Sequence, residues 1–319
     1  TVIPFGTRGR RGRMYPIGCN AINDRTIGES AAGLARYVKN TVTGDKLSCG
    51  IAYDPRHKSR HFAELCARIM VAAGFKVYFL DEIRSTPELS YLVRNKNCTS
   101  GIMVTDSHNA RTDNAVKVYW STGGQVLPPH DSGIIDCVMN TQEIDDNIDF
   151  EKAVADGRIV FCKDEVDSAF QRDVVAQATS GPRDVKVIYS PLHGVGLTAV
   201  TPVLAAGGFN DVEIFGPHAE PNPDFPNVPG HVSNPENPAV FDPMIELGQK
   251  ISADVALATD PDCDRLGVAA PVTTDSSGPW GTFTGNQIAI LLADYILETQ
   301  AGNLSQEKFI VQMLVTKHS

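Results

Sequence analysis

The sequence predicts an α/β protein made of two similar units in tandem, each a mixed sheet flanked by helices. Short buried strands alternate with amphipathic helices, which favours strand–helix–strand connections and a mostly parallel sheet. The pattern of residues 48–106 recurs at residues 185–260, where IAYDPR matches VIYSPL and AAGFKVYFLDE matches AAGGFNDVEIFGP. Each repeat then reaches a Thr-Asp pair directly after a buried strand. This recurrence indicates an internal duplication.

Composition argues against several classes of protein. The 319 residues carry 28 Lys+Arg and 38 Asp+Glu, a net charge of −10, so no nucleic-acid surface is expected. The seven scattered cysteines include no C-x-x-C pair, which favours buried or free thiols in a reducing compartment. The first residues are polar and basic, and the longest apolar run is Ile288–Leu292. Neither a signal peptide nor a membrane span is therefore expected, and the cytoplasm is the predicted location.

The amino-terminal segment Phe5–Arg13 has glycines at positions 6, 9 and 12 with arginines between them. Glycine lets backbone amides turn towards an anion, and arginine binds phosphate through two donors. The spacing is not G-x-G-x-x-G and no strand precedes it, which excludes a dinucleotide fingerprint. Taken alone, the segment is better interpreted as a frayed basic terminus.

The periodicity and the turn residues place the remaining elements in order. Asn23–Asn40 is a predicted helix with Thr26 as its expected cap. The first unit is expected to contain strands Ser48–Tyr53, Lys76–Leu80 and one ending at Val104, with helices His61–Ala73 and Glu88–Lys96. The second is expected to contain strands Val185–Tyr189, Asp211–Phe215, Asp254–Ala258 and Leu266–Ala270, with helices Thr198–Ala206 and Pro243–Ile251.

Three domains are expected, at residues 1–150, 151–275 and 276–319. A helix is expected to end near Thr179, before the second unit, and residues 276–285 are expected to form a turn-rich joint. Helix Gln287–Glu298 and strand Phe309–Val315 would then begin an incomplete third copy.

The stretch Val104–Trp120 predicts a strand, an exposed polar loop and a returning strand, with Ser107 near the loop tip and Lys117 on the return. A loop makes a hydroxyl reachable, and rigid strands on both sides aim it. Most serines on polar loops are turn formers that bond their own backbone. Ser107 is therefore a candidate nucleophile whose interpretation depends on a second loop.

That second loop is Asp260-Pro261-Asp262-Cys263-Asp264-Arg265. Its three aspartates alternate along an extended loop, so their carboxylates can point to one side, where their repulsion calls for a cation. Three carboxylate oxygens suit a magnesium ion that keeps room for phosphate oxygens. An EF-hand is excluded because Arg265 stands where it needs glycine and Pro271 where it needs glutamate. The alternative is a solvated acidic turn, which the two flanking strands make less favourable.

These motifs together resemble the α-D-phosphohexomutase superfamily, the phosphoglucomutases and phosphomannomutases. Four segments carry the resemblance: Phe5–Gly12 is similar to F-G-T-x-G-x-R-G, Thr105–Lys117 to the phosphoserine loop T-A-S-H-N-P…N-G-x-K, Tyr189–Gly196 to Y-T-P-L-H-G-x-G, and Asp260–Arg265 to the metal loop D-P-D-A-D-R. Further matches at residues 117–120, 124–125, 129–131 and 285–287 point to the branch of phosphoglucomutases and phosphopentomutases. The family has four domains, so the resemblance implies that most of the third and all of the fourth are missing from these residues.

The resemblance implies a mutase that moves a phosphoryl group between the 1-position and the 6-position of a sugar, or the 5-position of a pentose. Ser107 would carry the phosphoryl group, and Mg²⁺ would be held by Asp260, Asp262, Asp264 and an oxygen of phosphorylated Ser107. Lys117 would neutralise the phosphoryl group or transfer a proton, Arg265 would orient the phosphoserine, and His108 would join the catalytic set. Arg11, Thr7, Asn109 and His193 would contact a sugar phosphate, and a sugar bisphosphate would be the intermediate and activator.

Three residues depart from the family pattern around the serine. Asp106 and Ala110 replace a small residue and a proline, and Ala115 replaces a glycine. Such changes alter the geometry of the loop or the charge next to Ser107. With the clamping domain absent, two alternatives remain at this point: a phosphatase that releases phosphate to water, and an inactive fragment that binds metal and phosphate.

Overall fold

The computed structural model describes residues 3–6, 9–44 and 46–299. Along the first unit the elements are β1 (Arg10–Arg13), α1 (Asp24–Thr41), β2 (Ser48–Tyr53), α2 (Ser59–Ala72), β3 (Lys76–Phe79), α3 (Thr86–Asn95), β4 (Ser100–Val104), β5 (Asp113–Trp120), α4 (His130–Met139), α5 (Phe150–Ala155) and β6 (Ile159–Phe161). Then follow α6 (Lys163–Val175), β7 (Val187–Ser190), α7 (Gly196–Ala206), β8 (Val212–Ile214), α8 (Asp242–Ile251), β9 (Val255–Thr259), β10 (Leu266–Pro271), β11 (Trp280–Phe283) and α9 (Gly285–Thr299).

The strands form two mixed sheets, one in each unit. The first has the order β1-β5-β4-β2-β3-β6 and the second the order β11-β10-β9-β7-β8. In each sheet the first strand pairs antiparallel with the second, and the second pairs antiparallel with the third. From the third strand onwards, every neighbouring pair is parallel. Five sheet positions therefore correspond in both order and direction. The predicted fold class, a duplicated α/β unit with helix-flanked mixed sheets, is confirmed.

The two sheets differ at their edges. The antiparallel edge strand comes from the start of the first unit (β1) and from the end of the second (β11). The first sheet also gains β6, which pairs with β3 although it lies beyond residue 150. The three domain limits expected from the sequence stay a prediction. Strand β6 was expected in the second domain, but it belongs to the first sheet.

Apolar side chains fill both faces of the first sheet. One cluster packs α1 and α2 against it, with Leu34, Phe62 and Ile102 fully buried. Another packs α3 on the opposite face through Leu89 and Leu92. A smaller cluster around Ile188, Phe241 and Met244 supports the second sheet. This packing fixes the strand ends that carry the polar loops.

Several local predictions were wrong. The described arginines at positions 10, 11 and 13 do not form a frayed end: β1 pairs with β5, and Arg10 is buried with its guanidinium 2.8 Å from Glu29 Oε2. The cap of α1 is Asn23, whose side chain accepts from the Thr26 amide, while the Thr26 hydroxyl accepts from the Asn23 amide. The stretch expected to be a turn-rich joint contains β11.

The predicted helix Gln287–Glu298 is confirmed as α9, and none of its described side chains is buried. The predicted strand Phe309–Val315 lies outside the described residues, as does Thr7. Among the described residues, no helix combines the length and the apolar character that crossing a bilayer requires.

Candidate active site

The Ser107 loop leaves the carboxyl end of β4 and is anchored by the neighbouring strand β2. The Thr105 hydroxyl donates to Asp54 Oδ2 at 2.6 Å, and the Ser107 amide donates to Thr105 Oγ1 at 2.9 Å. Ser107 has φ 52°, in the left-handed region that non-glycine residues rarely adopt. The backbone therefore turns sharply at the serine and brings its side chain back towards the edge of the sheet.

Arg56 supports this loop from beneath. Its guanidinium donates to four main-chain carbonyls of the loop and of the start of β5, at Ser107, Asn109, Ala110 and Asp113. The Arg56 side chain is fully buried, and its Nε lies 3.4 Å from Asp54 Oδ2. A rigid, planar guanidinium with five donors is well suited to satisfy several carbonyls at once. The loop is thus held in one conformation without a strand or a helix of its own.

The second loop follows β9 and is organised by its own first aspartate. Asp260 Oδ1 accepts from the amides of Asp264 and Arg265, at 3.1 and 3.0 Å. The Cys263 amide donates to the Asp260 carbonyl at 2.9 Å, and Cys263 has φ 56°. This turn gathers the carboxylates of Asp260, Asp262 and Asp264, which offer oxygens that lie within 4.8 Å of one another.

The two loops meet. Ser107 Oγ donates to Asp260 Oδ2 at 2.6 Å, although the residues are 153 positions apart in the chain. Lys117, on β5, places its Nζ 2.9 Å from Asp262 Oδ2 and 3.8 Å from Asp264 Oδ2. One hydroxyl, three carboxylates and one ammonium group therefore share a small, largely buried volume.

Burial and charge set the protonation of these groups. Burial raises the pKa of Asp260 well above its usual range, and the neighbouring carboxylates of Asp262 and Asp264 raise it further. Burial opposes ionisation of Asp262 as well, but Lys117 outweighs it and lowers the pKa of Asp262 to about 2. Burial disfavours the charge on Lys117, yet Asp262 and Asp264 reverse this and raise the pKa of that lysine. Lys117 and Asp262 thus form a charged pair beside Asp260.

Three further candidate residues lie around Ser107. His108 Nδ1 is 3.2 Å from Ser107 Oγ, and burial, followed by the charge of Arg265, lowers the pKa of that imidazole to about 4. Arg11 Nε is 3.0 Å from Asp106 Oδ1, and the side-chain amide of Asn109 donates through Nδ2 to Asp106 Oδ2 at 3.2 Å. Burial raises the pKa of Asp106 to about 6, against the effect of Arg11. Asp106 replaces a small residue of the family pattern. It is therefore a partner for Arg11 and Asn109, two residues expected to bind substrate.

Arg265 and His193 lie farther from the serine. Arg265 donates to Glu236 Oε1 at 2.9 Å, and its Nε is 4.0 Å from Asp264 Oδ1. His193 is buried, and its Nδ1 bonds the Glu220 carbonyl at 2.8 Å. The chain after His193 supports the metal loop, because the Val195 amide donates to the Pro261 carbonyl at 3.0 Å. The roles expected for these two residues stay predictions.

Sequence reasoning missed two residues that shape the site, Arg56 and Thr86. Arg56 entered the sequence analysis only as the last residue of the repeated segment IAYDPR. A buried arginine directly after a buried strand is a signal, because an ion of that size needs partners at the same sheet edge. Thr86 gave no local signal, since its partner Asp262 is 176 positions away.

Comparison with known families identifies the two units separately. Residues 3–145 match the model of the phosphoglucomutase/phosphomannomutase alpha/beta/alpha domain I, and residues 166–273 match that of domain II. The two matches follow each other in the order of the two sheets. They leave out α5 and β6, which lie between them.

Individual relatives support the same assignment. The phosphoglucomutase of Staphylococcus epidermidis is 33% identical over 305 residues, which are 95% of this chain and 54% of that protein. The probable phosphoribomutase of Schizosaccharomyces pombe is 34% identical over 303 residues, 93% of this chain and 50% of that protein. The chain thus spans about half the length of the curated relatives that it matches.

A solved structure supports the fold. The crystal structure of a Thermus thermophilus protein, provisionally assigned as a phosphomannomutase, superposes with a TM-score of 0.75. The match covers 93% of this chain and 62% of that one, at 23% identity. With both domain matches and the relatives considered together, the chain belongs to the phosphoglucomutase/phosphomannomutase family.

Proposed function

We propose that this chain carries the phosphoryl-transfer centre of a phosphosugar mutase. Such an enzyme moves a phosphoryl group between the 1- and 6-positions of a hexose, or the 1- and 5-positions of a pentose, through a phosphoserine and a sugar bisphosphate. The observation that carries this proposal is the 2.6 Å hydrogen bond from Ser107 Oγ to Asp260 Oδ2, within a cluster of three carboxylates. The names of the relatives, phosphoglucomutase and phosphoribomutase, support the class of substrate.

The acidic loop fits a divalent cation. Asp262 Oδ1 is buried and has no hydrogen-bond partner among the described residues, whereas Oδ2 of the same carboxylate has two. A buried carboxylate oxygen left without a partner is costly unless a ligand completes it. Three carboxylate oxygens close together suit Mg²⁺, which also binds phosphate oxygens. Asp260, Asp262, Asp264 and a phosphoserine oxygen would hold the ion, which supplies neutralisation of phosphoryl charge when bound.

The protein groups define the transfer at Ser107. When Ser107 Oγ attacks the phosphorus of a sugar bisphosphate, the Oγ–P bond forms and the P–O bond to the sugar breaks. The hydroxyl hydrogen of Ser107 points at Asp260 Oδ2, so this carboxylate is the first acceptor of that proton. The leaving sugar oxygen takes up a proton from water, which balances the proton that Asp260 accepts from Ser107. The reverse step returns the phosphoryl group to the other hydroxyl of the sugar.

Lys117 neutralises the phosphoryl group in this proposal and does not transfer a proton. Its pKa is raised by the carboxylates of Asp262 and Asp264, so the ammonium stays charged at neutral pH. A fixed positive charge beside the transferring group stabilises the charge that develops there. Arg11, 37% exposed on its side chain, is a basic group available to a substrate phosphate near Ser107. A cytoplasmic location accords with these substrates and stays a prediction.

The proposal is tested by covalent labelling of the chain. Glucose 1,6-bisphosphate and Mg²⁺ should add one phosphoryl group to Ser107, detected by intact-protein mass spectrometry and peptide mapping. Ser107→Ala should abolish the label, while the exposed Ser121→Ala serves as the matched control and keeps it. Equal labelling of the Ser107→Ala variant would overturn the proposal. Stoichiometric release of inorganic phosphate without glucose 6-phosphate turnover would favour the phosphatase alternative.

A further inference from the structure

The amino terminus of α3, in the first unit, faces the metal loop of the second unit. Ser85 caps this helix: its side chain accepts from the Glu88 amide, and the Glu88 carboxylate accepts from the Ser85 amide. The Thr86 amide is not used by this cap, and it donates to the Asp262 carbonyl at 2.9 Å. A free amide of the first helical turn is thus satisfied by the other unit.

The side chain of Thr86 makes a second bond to the same aspartate. Thr86 Oγ1 donates to Asp262 Oδ2 at 2.7 Å, and Lys117 Nζ donates to that same oxygen at 2.9 Å. Asp262 is fully buried and Thr86 is 7% exposed, so water does not compete for these bonds. Both donors come from the first unit, and both act on Oδ2. Oδ1, which has no partner among the described residues, is consequently directed away from them.

We infer that Thr86 is a positioning residue of the metal site: it fixes the Asp262 carboxylate so that Oδ1 is presented as a ligand. The inference rests on the proposed function, because it takes the acidic loop to be the metal site. A hydrogen bond that orients a ligand commonly changes metal affinity about 10- to 100-fold when it is removed. Because Lys117 still holds Oδ2 when the hydroxyl is lost, the lower end of that range is expected.

The same contacts join metal binding to the packing of the two units. The ligands Asp260, Asp262 and Asp264 belong to the second unit, whereas the donors that orient Asp262 belong to α3 and β5 of the first. Any separation of the units breaks the bonds from Thr86 and frees the carboxylate to rotate. By thermodynamic linkage, an ion that binds the packed arrangement more tightly also favours that packing.

The test measures ion affinity directly. Binding of Mg²⁺ by isothermal titration calorimetry, and of Mn²⁺ by electron paramagnetic resonance, is compared for the unsubstituted chain, Thr86→Val and Thr86→Ser. Valine keeps the shape and the main-chain amide but removes the hydroxyl, and serine restores the hydroxyl. Thr86→Val should weaken binding about 10-fold, and Thr86→Ser should remain within about two-fold because its donor is retained.

Thr26→Val is the matched control, since Thr26 is also a buried threonine in the first turn of a helix. It should lower the urea midpoint, because its hydroxyl bonds at the start of α1 are lost, and leave ion affinity unchanged. Thr86→Ala, which also lacks the hydroxyl, is measured alongside in case valine prevents folding. It should show the same weakening.

Affinity within about two-fold of the unsubstituted chain in Thr86→Val and Thr86→Ala would overturn this inference alone. So would equal weakening in Thr86→Ser or in Thr26→Val, which would indicate general destabilisation. Absence of ion binding in the unsubstituted chain would instead overturn the proposed metal site, and this inference with it.

Discussion

The two units present loops at the same sheet position but hold them by different means. In the first unit, buried Arg56 donates to four carbonyls beneath the Ser107 loop. The matching residue of the second unit is Leu192, also buried, and the shorter acidic loop is held from within by Asp260 Oδ1. The comparison shows that a repeated strand arrangement fixes where a loop begins. The groups that hydrogen-bond the backbone of the loop then decide which side chains the loop can expose.

The Thr-Asp pairs at these two strand ends also have different partners. Thr105 donates to Asp54, while Thr259 bonds the Tyr189 hydroxyl at 2.7 Å. Asp106 pairs with Arg11, while Asp260 accepts from Ser107. One carboxylate thus has a cation beside it and the other has the candidate nucleophile. Substitution at the matched positions tests this division of roles.

The largest effect is expected for Asp260→Asn. The amide keeps the shape but removes the charge that faces Ser107 and one of three candidate metal ligands. Phosphorylation of Ser107 should slow about 10²–10³-fold, as is common when a charge partner at a transferring group is lost. Rapid-quench labelling with sugar bisphosphate measures the rate. A change below about 10-fold would contradict the assigned proton acceptor.

A smaller effect, on stability, is expected for Arg56→Leu. This substitution places leucine in the first unit, as the second unit has at the matching position, Leu192. It leaves Asp54 buried without its cation and removes the donors for four carbonyls. The free energy of unfolding should fall by about 3 kcal/mol, as is typical when one partner of a buried ion pair is removed. Urea denaturation measures it.

Arg60→Leu is the control for that substitution. Arg60 pairs with Glu64 on the exposed face of α2, so its removal should change the free energy of unfolding by less than about 0.5 kcal/mol. Equal losses in the two arginine variants would show that Arg56 has no special role in supporting the loop.

Mild acid should also destabilise the second unit, through a buried histidine. Burial lowers the pKa of His218, whose imidazole bonds Ser190 Oγ and the Asn227 carbonyl, with His193 beside it. The folded chain therefore favours neutral His218, and the unfolded chain takes up a proton below its ordinary pKa of about 6.5. Stability is full above that pH and falls as the pH decreases, by less than about 1.4 kcal/mol per pH unit for one proton. Urea denaturation between pH 7.5 and 5.5 should show this slope, and His218→Gln should reduce it.

The smallest effect is expected for Asp106→Asn, at the position that matches Asp260. It removes a negative charge next to Ser107, so phosphoryl uptake should rise by no more than about five-fold. Arg11, which is partly exposed, loses a solvent-screened partner. The labelling rate measures the change. A loss as large as that of Asp260→Asn would show that the two aspartates share one role.

The sequence predicted the elements whose burial pattern is strong. The strand Ser48–Tyr53 was predicted to the residue, because it is buried along its whole length and ends in a polar run. The edge strands β1 and β11 were missed because their residues are not regularly apolar, and only pairing with β5 and β10 makes them strands. Helix α4 was missed as well, since Pro129 and Gly133 in and beside it are typical of turns.

The residues of the candidate site also divide into those that the sequence predicted and those that it missed. Ser107 follows predicted strand β4 and the three aspartates follow predicted strand β9, so their positions at the carboxyl edges of the two sheets could be anticipated. The support from Arg56 and Thr86 depends on contacts made 51 and 176 positions away. No local pattern specifies a contact of that range. The Arg56 contacts form when the first unit folds, and the Thr86 contact forms when the two units pack against each other.

The left-handed backbone at Ser107 limits which alcohol can serve there. Threonine carries the same hydroxyl, but a branched side chain at φ 52° brings its methyl group against its own backbone. The backbone torsion angle at position 107 thus restricts the phosphoryl acceptor to a primary alcohol, whatever the reactivity of the two alcohols. A secondary alcohol at this turn would have to unbend the main chain and withdraw its oxygen from Asp260.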